Sequence, residues 1–251
     1  MVDFHTHILP EIDDGAKDVE TARAMMEAEK ANGVDTVLLT SHYYAKKRSP
    51  DQFVQKRAES FAAIKDLIPD GLTVKLAAEV HLKGYSGAAF EDVCKLAIEG
   101  TRYILIELPF TTKWTERLLQ KLEDFIRETD YTPVLAHVER YAEVQKRPAF
   151  LQTFINMGCL LQVNCGAFLE RRTRSLAFAM LKKGYVHALG TDAHNLDSRS
   201  CDYAAAKAEI EGRGYAAEFG RTQKNMRHIL ADESVKVGRP KKIKKFFGRY
   251  F

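Results

Sequence analysis

Short aliphatic and β-branched runs alternate with amphipathic segments along most of this chain, and nearly every run ends on a histidine or an acid. Such alternation predicts βαβ units around a parallel sheet. The strand candidates are Val2–Thr6, 36–40, 74–80, Tyr103–Glu107, 133–137, Leu160–Asn164 and 186–190, with helical segments such as Val19–Ala31, 53–67, Glu116–Glu128 and 176–183 between them. At 251 residues the chain can bury one substantial core, a length that α/β barrels commonly use as a single domain. No repeat, low-complexity linker or composition break precedes about Gly238, so one domain is expected over 1–238, followed by a tail at 239–251.

The polar residues at the strand ends restrict the function further. His5 and His7 close the first strand, where alternate side chains share a face. His42 follows the second in "LLTSHYY", Glu79 ends the third in "LAAEV", Glu107 the fourth in "LIELP", and His137 the fifth in "VLAHVERY". Asp192 and His194 follow the last in "ALGTDAHN". All sit at or just past the carboxyl end of a strand, the face that carries the active site in β/α barrels. Each has an ordinary explanation alone: Glu107 could pair with a lysine, Asp192 could cap a helix, His137 could be a buried, hydrogen-bonded histidine. Together they do not, because burying so many carboxylates without cations is very costly. Imidazole and carboxylate without thiolate suit Mn²⁺, Fe²⁺ or Zn²⁺, and more ligands are present than one ion needs.

Composition excludes other classes. Hydrophobic residues at 45% and charged residues at 29% fit a soluble globular protein. The longest apolar run, 103–110, is too short and too acidic to span a bilayer, and Asp3, His5 and His7 interrupt any signal peptide, so a cytoplasmic location is expected. Cys94, Cys159, Cys165 and Cys201 lack CxxC spacing and read as reduced thiols. Six basic residues and no acidic ones fall in 239–251, and without them the net charge of +4 becomes −2. The basicity belongs to the tail, which argues against a nucleic-acid-binding face on the body.

Through "DFHTHILPEIDDGA", "TSHYY", "AAEV", "IELPF", "HVERY", "VNCGAF" and "GTDAHNLDSR" the sequence resembles the polymerase and histidinol phosphatase (PHP) superfamily of trinuclear metal phosphoesterases. Within it, the chain is similar to the manganese-dependent protein-tyrosine phosphatases of Gram-positive capsule and exopolysaccharide loci. The resemblance implies a distorted seven-stranded, TIM-like β/α barrel holding three divalent metal ions, Mn²⁺ foremost, with Fe²⁺ and Zn²⁺ as alternatives. By motif position, His5, His7, Glu79 and Asp192 would hold the first ion. Glu79, bridging, with Glu107 and His137 would hold the second, and Asp14, His42 and His194 the third. Asp14, next to Gly15, is the matching member of the acidic pair; Asp13 is expected behind the ligands or exposed. Arg140 and Arg199 match positions that hold the substrate phosphate, the alternative being that they pair with acids such as Glu139 and Asp197. The chain departs from the family pattern at Val138, where proline is usual, at Phe110, where histidine is frequent, and at Cys165, which replaces a small residue. His81, His187 and His228 match no motif and are assigned to structure or surface, although His81 could share a face with Glu79.

The implied reaction is metal-assisted hydrolysis of a phosphomonoester without a covalent enzyme intermediate. The implied substrate is phosphotyrosine on the tail of a bacterial tyrosine kinase that controls polysaccharide export. One alternative is a phosphoesterase of the same superfamily acting on histidinol phosphate or a nucleotide; another is a scaffold without activity, disfavoured because every expected ligand is present. A mechanistic rival is the Cys-x5-Arg spacing from Cys165 to Arg171, "CGAFLER", but Phe168, Leu169 and Glu170 are poor material for the backbone cradle that a thiolate mechanism needs. Finally, "RPKKIKKFFGRYF" interleaves basic and aromatic residues in a way that suits an anionic membrane surface, or else forms a solvated terminus.

Overall fold

The computed structural model describes residues 1–82, 92–110, 113–238, 240–246 and 248–251. Strand β1 (Val2–Thr6) is buried along its whole length and pairs in parallel with β2 (Thr36–Leu39), which pairs in turn with β4 (Thr73–Leu76). A second parallel sheet runs β3 (His42–Tyr43), β5 (Glu79–His81), β6 (Tyr103–Glu107), β7 (Thr132–Leu135), β8 (Leu160–Asn164) and β9 (Ala188–Gly190). Its ends meet the first sheet through a parallel bridge from Thr6 to Ala193, with His7 N–H donating to the Ala193 carbonyl at 2.8 Å and Asp192 N–H to the His5 carbonyl at 2.7 Å. The product is a single α/β domain whose parallel sheet curves into a half-barrel. Strand β6, "YILIE", is buried at every position, as expected where helices cover a parallel sheet.

The expected strand 74–80 is divided in two, and a short strand, β3, not expected from the sequence, follows the one expected at 36–40. Thr40 and Ser41 separate β2 from β3, and Ala77 and Ala78 separate β4 from β5. The cause is a change of partners: Glu79 N–H points at the carbonyls of both Thr40 and Ser41, at 3.0 and 3.1 Å, while Thr40 N–H turns to Thr6 at 2.9 Å. The chain thereby steps between sheets and carries His42 and Glu79 into one register.

The first two helices start on side-chain caps. Helix α1 (Val19–Ala31) is capped by Asp18, whose carboxylate accepts from Thr21 N–H, and α2 (Pro50–Ile64) by a reciprocal Ser49–Gln52 capping box with Pro50 in its first turn. Around the sheet follow α3 (Glu116–Glu128), α4 (Ala142–Lys146), α5 (Ala149–Asn156), α6 (Arg174–Lys183), α7 (Tyr203–Gly212) and α8 (Ala216–Leu230). On α3, Leu122 and Phe125 face the core. Burying side chains of this size is worth roughly 1.5–3 kcal/mol each.

The described part of the tail folds back. Strands β10 (Lys245–Phe246) and β11 (Arg249–Tyr250) form a small antiparallel ladder. Tyr250 N–H donates to Ser175 Oγ at 3.0 Å, and Tyr250 Oη and Lys245 Nζ both donate to the Gln145 carbonyl, at 2.7 and 2.8 Å. Arg239 and Phe247 lie outside the described residues.

Candidate metal centre

The site is built where β1 stops. His5 and His7 are fully buried, and two glycines admit the neighbouring backbone to them. A Cβ on Gly190 would lie 2.6 Å from His5 Cβ, and one on Gly15 only 2.0 Å from the His7 carbonyl oxygen, so both positions require glycine. His137 and Asp192 lie just past β7 and β9 with left-handed φ of 32° and 57°. Non-glycine residues adopt such angles at a cost, and these two turn their side chains towards the centre.

The side chains converge in overlapping groups. His5 Nε2 lies 3.3 Å from Glu79 Oε2 and 3.6 Å from Asp192 Oδ1, and His7 Nε2 lies 3.5 Å from both oxygens. His137 Nε2 is 2.7 Å from Glu79 Oε1 and 4.0 Å from Glu107 Oε1. Asp14 Oδ1 is 3.4 Å from His42 Nε2 and 3.6 Å from His194 Nε2. His7 borders this last group as well, and His42 Nδ1 approaches Glu79 Oε2 to 2.8 Å. All nine residues expected to hold metal therefore face one another.

The electrostatics fit cations. His5 Nε2 and His7 Nε2 point at each other across 3.0 Å, while Glu79 Oε2, His42 Nδ1 and His194 Nε2 are buried without satisfying a hydrogen bond. Burial alone would raise the Glu79 and Asp192 carboxyls, but the charges of His5 and neighbouring imidazoles hold both well below the usual range. Glu107 escapes this compensation: burial, with Glu79 and Asp192 beside it, pushes it up to about 9. Burial and the His7 charge push His194 down to about 3. Unpaired donor atoms, repelling carboxylates and imidazoles crowded against one another are what a divalent cation resolves.

Behind the ligands stand Asp13, which the sequence singled out, and Gln162, which it did not. Asp13 was expected behind the ligands or exposed; its side chain is only 4% exposed, against 67% for Asp14. Its Oδ2 accepts from His7 Nδ1 at 2.7 Å and from His42 N–H at 2.8 Å, so it holds the His7 ring with Nε2 turned towards the centre. Gln162 Oε1 accepts from His137 N–H at 2.6 Å and lies 3.4 Å from His5 Nδ1. Its amide donates to Asn164 Oδ1 at 2.9 Å, and Asn164 donates to Asp192 Oδ2 at 3.0 Å.

Arg140 and Arg199 flank the centre, donating to Asp192 Oδ2 at 2.7 Å and Oδ1 at 2.9 Å, so their carboxylate partner is Asp192 rather than Glu139 or Asp197. Arg140 also lies over the Phe110 ring at 4.9 Å, and Phe110 stacks on His137. Two cavities open beside the cluster. One, of about 490 Å³, is lined by Asp14, His42, Tyr44 and Lys47, and the other, of about 270 Å³, by Arg140, Asn164, Asp192 and Arg199.

The remaining candidates lie apart. His187 is buried and its Nδ1 accepts from Leu161 N–H at 3.1 Å, while His228 pairs with Glu233. His81 packs against Tyr44 and joins none of the donor groups found among the described residues. Cys165 is fully buried, and burial together with nearby acids pushes its thiol well above the usual range, the reverse of an activated thiolate. Arg171 lines a groove beside the tail, together with Arg249 and Phe251.

The family profile described as "Capsular polysaccharide synthesis, CpsB/CapC" matches residues 1–234. Over its whole length, the tyrosine-protein phosphatase CpsB of Streptococcus pneumoniae is 29% identical to 94% of this chain. The tyrosine-protein phosphatase YwqE of Bacillus subtilis is 27% identical, with 99% of each chain aligned. Among solved structures, a chain from the crystal structures of YwqE and CpsB, metal-dependent tyrosine phosphatases, superposes with a TM-score of 0.83 over 98% of this chain and 100% of that one, at 24% identity. An amidohydrolase II structure follows the same fold more loosely, with a TM-score of 0.56 at 11% identity.

Proposed function

Because the chain belongs to the CpsB/CapC family of capsular polysaccharide synthesis, we infer that it is a metal-dependent tyrosine-protein phosphatase. The observation that carries this reading is the convergence of five imidazoles and four carboxylates, with two arginines at their rim, in a protein whose relatives bear that name. The finer reading is three divalent ions, Mn²⁺ foremost, held by His5, His7, Glu79 and Asp192, by Glu79, Glu107 and His137, and by Asp14, His42 and His194. It also takes the sheets as a distorted seven-stranded, TIM-like barrel over 1–238, with β2 and β3, and likewise β4 and β5, counted as one stave.

When bound, divalent cations supply Lewis acidity, neutralising phosphoryl charge and raising the acidity of water. The chain's own residues do the rest. Asp13 and Gln162 hold the imidazoles in orientation, so little reorganisation accompanies the reaction. Arg140 and Arg199, on either side of Asp192, offer guanidinium forks to the phosphoryl oxygens and orient the ester for in-line attack by water. Phe110 and Tyr44 present aromatic surface at the rim, suited to the ring of a phosphotyrosine. In this reading water is the nucleophile, and neither a thiolate nor a phosphoenzyme takes part.

The substrate in this reading is the phosphorylated tail of a tyrosine kinase acting in polysaccharide export, met in the cytoplasm. No helix among the described residues is long and apolar enough to cross a membrane. The basic tail would bring the enzyme to an anionic membrane surface, with each lysine or arginine worth on the order of 1 kcal/mol. A direct test compares turnover of a phosphotyrosine peptide with that of histidinol phosphate and a nucleotide monophosphate at saturating Mn²⁺. Preference for the peptide is expected; faster hydrolysis of the small esters would refute the substrate assignment.

A further inference from the structure

A second donor cluster lies behind β1, away from the centre just described. Asp3, Glu29 and Cys201 each place one donor atom within 4.8 Å of the other two. Asp3 is 0% and Glu29 1% exposed. Asp3 Oδ1 is engaged, accepting from His5 N–H at 3.1 Å and Thr191 N–H at 3.0 Å, but its Oδ2 satisfies no hydrogen bond. Neither oxygen of Glu29 satisfies one either, although α1 carries this side chain into the protein interior. Asp202 follows Cys201 and has its Oδ1 buried and unsatisfied, and Cys165 is close enough to feel all four neighbours.

Two buried carboxylates beside a third, half-buried one are very unfavourable without compensation. The groups acting most strongly on Glu29 are Asp3, Cys201 and Asp202, and none of them is a cation. Protonation is one escape, with a proton held between Glu29 and Asp3, but one shared proton leaves the second Glu29 oxygen and Asp202 Oδ1 unsatisfied. Coordination is the other. We propose that Asp3, Glu29 and Cys201 form a separate structural site for a borderline-soft divalent cation, best matched by Zn²⁺. The donor set of two carboxylates and a thiol, with the Cys165 thiol nearby, suits zinc better than the thiol-free active centre does. Such an ion would tie α1 to β1 and to the start of α7. It would also brace the strand end that holds His5 and, through Thr191, the turn that holds Asp192.

Thiolate ligation makes the site spectroscopically distinct. Metal-stripped full-length protein reconstituted with Co²⁺ should show a sulfur-to-cobalt charge-transfer band in the near ultraviolet, which a cluster of imidazoles and carboxylates cannot give. Cys201→Ser should abolish the band and Cys94→Ser should keep it, and with Zn²⁺ the Cys201→Ser protein should bind one equivalent less than wild type. Absence of the band from wild type, or its survival in Cys201→Ser, overturns the proposal. Should Cys201→Ser fail to fold, Glu29→Gln keeps the side-chain volume and should weaken zinc binding at this site roughly tenfold or more. Unchanged affinity would equally overturn it.

Discussion

Asp13 offers the most direct test of how the centre is organised. Its carboxylate accepts three hydrogen bonds: Oδ2 from His7 Nδ1 at 2.7 Å and from His42 N–H at 2.8 Å, and Oδ1 from Gly15 N–H at 3.0 Å. Asparagine has the same shape but only one accepting atom, so it must turn its amide towards Gly15 or towards both histidine donors. At least one charge-assisted bond is lost, and such bonds are worth roughly 1.5–3 kcal/mol. The imidazole of His7 then loses its fixed orientation, and disturbing a partner that orients a ligand typically costs about 10- to 100-fold in metal affinity or activity. Asp13→Asn should therefore raise the Mn²⁺ concentration for half-maximal hydrolysis of a phosphotyrosine peptide by about that factor, with kcat at saturating metal falling less. Asp13→Ala, which leaves all three donors without the carboxylate, should be worse. An unchanged Mn²⁺ requirement in Asp13→Asn would refute the reasoning, as would a large fall in kcat with metal binding intact.

Removing Arg199 should cost about 10- to 200-fold in kcat/KM without emptying the metal sites, since hydrogen bonds to charged groups are worth roughly 1.5–3 kcal/mol. Lysine should restore part of the loss, and near-wild-type kinetics in both the Arg140 and Arg199 alanine variants would leave these residues as mere counter-charges to Asp192. His187 carries a pH dependence of stability: burial pushes it down to about 4, so the unfolded chain takes up the proton first as pH falls. Its contribution is fully present above the ordinary value near 6.5 and lost towards 4, about 2 kcal/mol between about pH 7 and 5. Urea unfolding of wild type and His187→Gln at the two pH values checks this, because the variant should lack that component. For the tail, full-length protein should sediment with anionic vesicles at low salt more than a 1–238 variant, and equal sedimentation would remove the membrane role.

The legible part of this molecule was what backbone periodicity and residue chemistry carry together. A histidine pair two residues apart on a strand, an acid closing "LIEL" and the "TDAH" turn each announce both an element and its polar end, and the structure brings these residues together. The extra strand β3 and the split between β4 and β5 were not legible, because they arise when Thr40, Ser41 and Glu79 exchange backbone partners between sheets, and side-chain pattern does not encode that. The weight of Asp13 over a merely exposed acid depended on which way the "DDG" turn rolls, which Gly15 and the His7 backbone decide in three dimensions. Gln162 and Glu29 stayed hidden for a related reason. A polar residue in a strand and an acid on a helix read as solvent-facing until the fold shows both buried.

The account rests on phosphate hydrolysis by the imidazole–carboxylate cluster rather than by a cysteine. The most direct measurement follows release of phosphate from a phosphotyrosine peptide by EDTA-treated protein, before and after Mn²⁺ is returned, with Cys165→Ser and Asp192→Ala beside the wild type. The prediction is no turnover without metal, recovery with Mn²⁺ in wild type and in Cys165→Ser, and none in Asp192→Ala. Turnover that survives metal removal, or that vanishes in a folded, metal-loaded Cys165→Ser protein, would contradict it.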